Sequence, residues 1–139
     1  MDKRTTFTMD AVPHNFRIAQ KKVREFLAPA HCSMRTLLEL DILVEEVFIN
    51  IASYAYEQQT GTCSIDLSLN DSLDTLTMTF RDKGIPYNPL TKPAPDLSPE
   101  ARKNSVGGLG IFLVNKYSDS LSYEYADREN RLTVYKKLS

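Results

Sequence analysis

The hydrophobic period changes at Gly61, and that change leaves the chain few folds to choose from. Before it, Leu37, Leu40, Val44, Val47, Phe48, Ile51, Ala52 and Ala55 recur at helical spacing. Ser33 precedes them as a fitting N-cap, and the pattern predicts a helix to about Glu57. After Gly61, Cys63-Ser-Ile-Asp-Leu-Ser-Leu69 alternates, with Ile65, Leu67 and Leu69 on one side. Asn70-Asp-Ser72 reads as a turn, and Leu73 to Phe80 alternates again through Leu76, Met78 and Phe80. A long amphipathic helix beside a hairpin with one apolar face predicts two layers sharing one core.

The flanking segments extend this pattern. Arg4 to Met9 alternates as a short strand, and Val12 to Leu27 has helical spacing until Pro29 ends it. Lys83 to Val106 carries several Pro and Gly with little periodicity, and a structureless stretch this long usually has a functional role. Leu109 to Tyr117 is a short amphipathic helix. Ser120 to Tyr125 and Arg131 to Lys137 are two further strands, joined by a polar turn at Asp127 to Asn130. The expected fold is an α/β two-layer sandwich (α+β). Its sheet is a mostly antiparallel mixed sheet, covered on one face by three helices. The other face is left open or serves a partner.

Composition narrows the classes. A chain of 139 residues fits one domain over residues 1–139, with a single core. With 42% hydrophobic and 25% charged residues it reads as globular rather than disordered. A net charge of -1 leaves no basic footprint, so nucleic acid is not the expected partner. No apolar run approaches the roughly 20 residues that span a bilayer, and no signal region follows Met1, so no membrane and a cytoplasmic location are expected. Cys32 and Cys63 lack metal spacing and read as free thiols.

Three short pieces carry chemistry. Ile42, Glu46, Asn50 and Ser53 fall along one line of the long helix, so a carboxylate and an amide sit one turn apart. Glu46 can act as a general base, and the Asn50 amide oxygen suits Mg²⁺. Spacing alone sides with the plainer reading that both are solvated polar residues. Asp82-Lys-Gly84 ends an apolar run. Its carboxylate can accept an adenine amino group, although Asp and Gly also make ordinary turns. Gly107-Gly-Leu-Gly110 opens the short helix, where backbone N–H groups can approach phosphate oxygens. Helix-packing glycines would look the same. The run is neither a Walker A loop nor a dinucleotide fingerprint.

Taken in order, the pieces resemble the GHKL (Bergerat-fold) ATP-binding domain. Glu46 and Asn50 resemble its N-box, Asp82-x-Gly84 its first glycine box, and Gly107-Gly-Leu-Gly110 its second. The runs Asp-x-Gly-Ile-Pro-Tyr-Asn-Pro and Gly-Gly-Leu-Gly-Ile-Phe-Leu-Val particularly resemble the anti-sigma-factor serine kinases. The resemblance implies that Asn50 holds Mg²⁺ on ATP and that Glu46 is the catalytic base. It further implies that Asp82 binds the adenine amino group, Gly84 makes room for the base, and Gly107, Gly108 and Gly110 contact phosphates. An ATP lid would cover about residues 84–106, with Arg102 or Lys103 reaching the phosphates.

The implied activity is phosphorylation of a small antagonist protein on serine. A sigma factor or similar regulator would be the alternate partner, and a homodimer would form through the sheet. The alternative is a non-catalytic ATP-binding interaction module whose nucleotide state sets partner affinity. A histidine-kinase fragment is disfavoured, because neither His14 nor His31 lies in a long paired helix. Two positions depart from the family pattern. Ile51-Ala-Ser-Tyr-Ala55 replaces a small-residue run, and Arg131-Leu-Thr133 replaces a Gly-Thr motif, where only Thr133 would stand in.

Overall fold

The structure, a computed structural model, describes residues 3–56, 60–91 and 108–138. Strand β1 (Lys3–Asp10) leads through a 3₁₀ turn at Pro13–Asn15 into helix α1 (Phe16–Phe26), and helix α2 (Met34–Tyr54) follows. Strands β2 (Thr62–Leu69) and β3 (Thr75–Asp82) come next, then α3 (Gly108–Tyr117), β4 (Ser120–Ala126) and β5 (Glu129–Lys137). The strands form one sheet in the order β1-β2-β3-β5-β4. All four neighbouring pairs are antiparallel, so the two-layer α/β sandwich stands and the sheet is not mixed among the described strands. The reason lies in the order: β5 enters between β3 and β4 and runs opposite to both.

One face of the sheet and the inner sides of the helices build a single core. Ile65, Leu67 and Leu69 of β2, Leu76, Met78 and Phe80 of β3, and Val134 of β5 are essentially inaccessible to solvent. They cluster with Leu40, Leu43, Val44, Val47, Phe48 and Ile51 of α2 and with Ala19 and Val23 of α1. Each such aliphatic or aromatic side chain contributes roughly 1.5–3 kcal/mol by leaving water. Ser33 caps α2 as its sequence suggests, its hydroxyl accepting the Thr36 N–H at 3.1 Å. On β5, Lys136 is buried too. Its ammonium donates to Glu39 Oε1 of α2 at 2.8 Å and to the Tyr117 carbonyl of α3 at 2.6 Å, joining three elements.

Three boundaries differ from the sequence reading, and side-chain hydrogen bonds or turn geometry explain two of them. Leu73 is not in a strand. Asn70 Oδ1 accepts the N–H groups of Asp74 and Thr75 at 2.9 and 3.0 Å, which lengthens the turn and puts Leu73 at φ 57°. The strand therefore starts at Thr75 and takes in Asp82, which the sequence placed after it. The last hairpin is tighter than expected. Asp127 and Arg128 alone form its turn, both at positive φ (54° and 62°), and Ala126 pairs with Glu129. Such two-residue turns match the twist of a hairpin. The third difference is at Val12, which is extended, so α1 proper begins at Phe16.

The outer face of the sheet is polar. Thr6 bonds Asp66, Thr8 bonds Ser64, and Thr79 bonds Thr133 across neighbouring strands. Arg81 forks onto both oxygens of Asp66 at 2.8 and 3.0 Å and reaches Glu129 at 3.2 Å. The expected lid is described only as far as Thr91. Residues 92–106 with Arg102 and Lys103, then Gly107, and Glu57 at the expected end of α2 lie outside the described residues.

Candidate functional site

Antiparallel register brings together residues that are far apart in sequence. On β3 the inward positions are Leu76, Met78, Phe80 and Asp82, and on β5 they are Asn130, Leu132, Val134 and Lys136. Asp82 and Asn130 pair directly across the two strands. They meet the C-terminal half of α2, where Val47, Asn50, Ile51, Tyr54 and Ala55 line the same cleft. Ile85, Tyr87 and Pro89 close one side, and Tyr123 of β4 closes another. The space between these walls, open solvent at its mouth included, is about 440 Å³. Its walls are largely apolar, with a few polar groups at the ends.

At the strand end, the polar groups hold one another in place. Asp82 Oδ1 accepts the Gly84 N–H and the Asn130 amide, each at 2.9 Å. Asn130 also donates to the Ile85 carbonyl at 2.8 Å. Its own oxygen accepts the Tyr87 N–H at 3.0 Å and the Tyr123 hydroxyl. Burial pushes the Asp82 carboxyl above its ordinary range, the Asn130 and Gly84 hydrogen bonds pull it back, and nearby Glu129 adds to the rise. A buried carboxylate in an apolar slot is suited to accept a hydrogen bond from an amino group on a flat ring.

The turn after Asp82 is held from α2. A Cβ on Gly84 would lie 2.6 Å from the carbonyl carbon and from the Cβ of Ala55, and closer still to its carbonyl oxygen. Only glycine lets the backbone pass that close. Ile85 N–H donates to the same Ala55 carbonyl at 2.9 Å. Tyr56 completes the clasp, its hydroxyl accepting the Lys83 N–H at 2.8 Å and donating to the Thr62 carbonyl at 2.5 Å.

At the helix end, one polar atom is left over. Asn50 Oδ1 is buried and has no hydrogen-bond partner among the described residues. A buried carbonyl oxygen without a donor is costly, and a hard cation or its water shell would satisfy it. Among the described residues no group of three or more His, Cys, Asp or Glu side chains is placed to hold a metal. That donor set fits a Mg²⁺ whose other ligands are waters and substrate phosphates. It does not fit an all-protein cage.

The remaining sequence-predicted residues sit as follows. Glu46 lies one turn before Asn50, half-buried, and outside the cleft lining. Burial chiefly, and the charge of Glu45 next, raise its carboxyl above the ordinary value. Gly108 and Gly110 fall in the first turn of α3, where backbone N–H groups lack intrahelical partners. Thr133 does not stand in for the family's Gly-Thr motif. Its register turns it to the outer face, where it bonds Thr79. Asn130 and Leu132 line the cleft instead. Asn130 escaped the sequence reading because it was assigned to a turn. Continuing the alternation of Leu132 and Val134 back by one step would have found it.

The family profile described as histidine kinase-like ATPase domain matches residues 9–136, and the chain belongs to that family. The GHKL resemblance read from the motifs is thereby borne out. The chain is 28% identical over 102 residues to the serine/threonine-protein kinase BtrW of Bordetella bronchiseptica, covering 73% of this chain and 71% of that protein. It is 24% identical over 138 residues to the anti-sigma F factor of Lysinibacillus sphaericus, covering 99% and 93% respectively. The crystal structure of the RsbU and RsbW domains of Rv1364c from Mycobacterium tuberculosis superposes with a TM-score of 0.66 at 14% identity. It covers 98% of this chain, which spans about a third (32%) of that longer protein. No helix among the described residues is long and apolar enough to cross a membrane.

Proposed function

We propose that this protein is an ATP- and Mg²⁺-dependent serine-protein kinase of the anti-sigma type. The observation that carries the reading is the pairing, in one cleft, of the buried Asp82 carboxylate with the unsatisfied Asn50 amide oxygen. Asp82 accepts the adenine amino group. Asn50, with Gly108 and Gly110 in the first turn of α3 and with Gly107, which precedes them in sequence, serves the phosphate end. Mg²⁺, when bound, neutralises phosphate charge. Glu46 takes the proton from the serine hydroxyl of a small antagonist protein. The serine oxygen then bonds to the γ-phosphorus as the bond to the ADP oxygen breaks. Burial of Glu46 supports the role, because a raised carboxyl pKa makes a better base near neutrality.

The partner side of the reading draws on the relatives, a serine/threonine kinase and an anti-sigma factor. A sigma factor or similar regulator is the alternate partner. The polar outer face of the sheet is the homodimer surface, and the protein works in the cytoplasm. A second reading, a non-catalytic module that uses ATP only to set partner affinity, is favoured by the position of Glu46 outside the cleft lining.

Calorimetry with ATP, with and without Mg²⁺, tests the shared part. Incubation with the co-purified antagonist and ATP, followed by mass spectrometry for phosphoserine, separates the two readings. Mg²⁺-assisted binding with phosphoserine supports the kinase, and binding without phosphoserine supports the module. No binding at millimolar ATP removes both.

A further inference from the structure

Asn130 spends every hydrogen bond that a side-chain amide can make. Its two N–H groups go to Asp82 Oδ1 (2.9 Å) and to the Ile85 carbonyl (2.8 Å). Its oxygen accepts the Tyr87 N–H (3.0 Å) and the Tyr123 hydroxyl. The amide orientation is unambiguous. Flipped, it would set oxygen against a carboxylate and a carbonyl, and nitrogen against an N–H. All of this happens beside the cleft, at a residue only 7% exposed. A buried polar network satisfied to this extent fixes one arrangement of its members.

The consequence falls on Asp82. Both of its hydrogen bonds from described residues, from Gly84 and Asn130, converge on Oδ1. Oδ2 takes none from a described residue. We propose that Asn130 is the positioning residue for base selection: it locks Asp82 and the Ile85–Tyr87 backbone so that one carboxylate oxygen faces a purine amino group. This rests on the nucleotide reading above and names what enforces adenine in it. A carboxylate held in place attracts an amino donor and repels a ring carbonyl. Discrimination against 6-oxo purines then comes from Asn130 as much as from Asp82. Asn130 acts through Asp82 and is not itself a catalytic residue.

The test compares ATP with inosine triphosphate, which carries a carbonyl where ATP carries the amino group. Binding of each is measured by calorimetry on the full chain: wild type, Asp82→Asn, Asn130→Leu and Tyr123→Phe. Tyr123→Phe removes one donor to Asn130 while keeping the ring, so it guards against an Asn130→Leu protein that does not fold. In Asn130→Leu, ATP affinity is expected to fall about tenfold, the size of one hydrogen bond's loss. Inosine triphosphate affinity should hold or rise, so the preference for ATP collapses. Tyr123→Phe should shift the preference the same way, by about two- to threefold.

A purely architectural role would weaken both nucleotides alike and leave the preference intact. That result, or an unchanged preference in a folded Asn130→Leu or Tyr123→Phe protein, overturns the proposal. A wild type that prefers ATP, a preference lost in Asp82→Asn but kept in both of the other variants, sinks the Asn130 assignment and spares the nucleotide reading. A wild type that binds neither nucleotide overturns both.

Discussion

The two ends of the cleft are built on opposite principles. At the strand end, Asp82 Oδ1, Asn130, Tyr123 and the 84–87 backbone form an interlocked set of hydrogen bonds anchored on three strands of the sheet, which fixes the carboxylate with Oδ2 left to accept. At the helix end, Asn50 presents a buried oxygen that no described residue satisfies. A rigid flat ring can be recognised by a surface completed in advance, since neither side must rearrange. A hydrated ion and a polyphosphate cannot, because their ligands are shared with water and with the nucleotide itself. On the proposed reading, one end therefore sets which base binds, and the other waits to be completed.

Variants can break that contrast at different points. The largest effect is expected from Glu46→Gln, with transfer falling by about 10²–10⁴-fold while ATP affinity stays within about twofold. Single-turnover phosphoserine formation checks this, and unchanged transfer would remove Glu46 from the chemistry. In the wild type, the base works as a carboxylate whose pKa is raised by burial and by Glu45. Transfer is thus fully present above that raised pKa and is lost as pH falls through it, and the rate profile of Glu46→Gln should lack that limb.

Next comes Asp82→Asn, which breaks the preassembled end. ATP affinity should drop about a hundredfold by calorimetry, whether or not Mg²⁺ is present. Asn50→Ala should behave differently, losing about tenfold with Mg²⁺ and little without it. Equal losses in both conditions would mean that Asn50 is a packing residue, and the contrast between the ends would fail. Gly84→Ala acts first on stability rather than on affinity. Pressed against Ala55, the added methyl should cost roughly 1–3 kcal/mol of stability in a urea titration. It should also weaken ATP by displacing Asp82.

The architecture was legible in the sequence because it follows from period. The alternation of Cys63 to Leu69 and the helical stripe from Leu37 to Ala55 each point to one buried face, and the structure buries both. What period could not give was turn length. Leu73 looked like a strand residue, but Asn70 bonds two backbone N–H groups and holds it in the turn. Asn130 looked like a turn residue, but two consecutive positive-φ residues close the hairpin before it. Asn50 and Asp82 were legible as chemistry from residue type and order, and the fold brings them into one cleft. The Asn130 partner of Asp82 was not, because it lies 48 residues away in sequence.

That short hairpin turn has a consequence for how the chain can change. Surface turns usually tolerate inserted residues, and Asp127 and Arg128 are both exposed. Here the count matters, because a strand slipped by one position exchanges its two faces. One residue added at the turn, taken up along β5, would bring Glu129 inward opposite Asp82, send Asn130 to the outer face and bring Arg131 inward opposite Phe80. It would also carry the Lys136 ammonium away from Glu39. Parity at a solvent-exposed tip is in this way tied to the composition of the interior at both ends of β5. Odd-length insertions there should be read as active-region mutations, and even-length ones as ordinary loop variation.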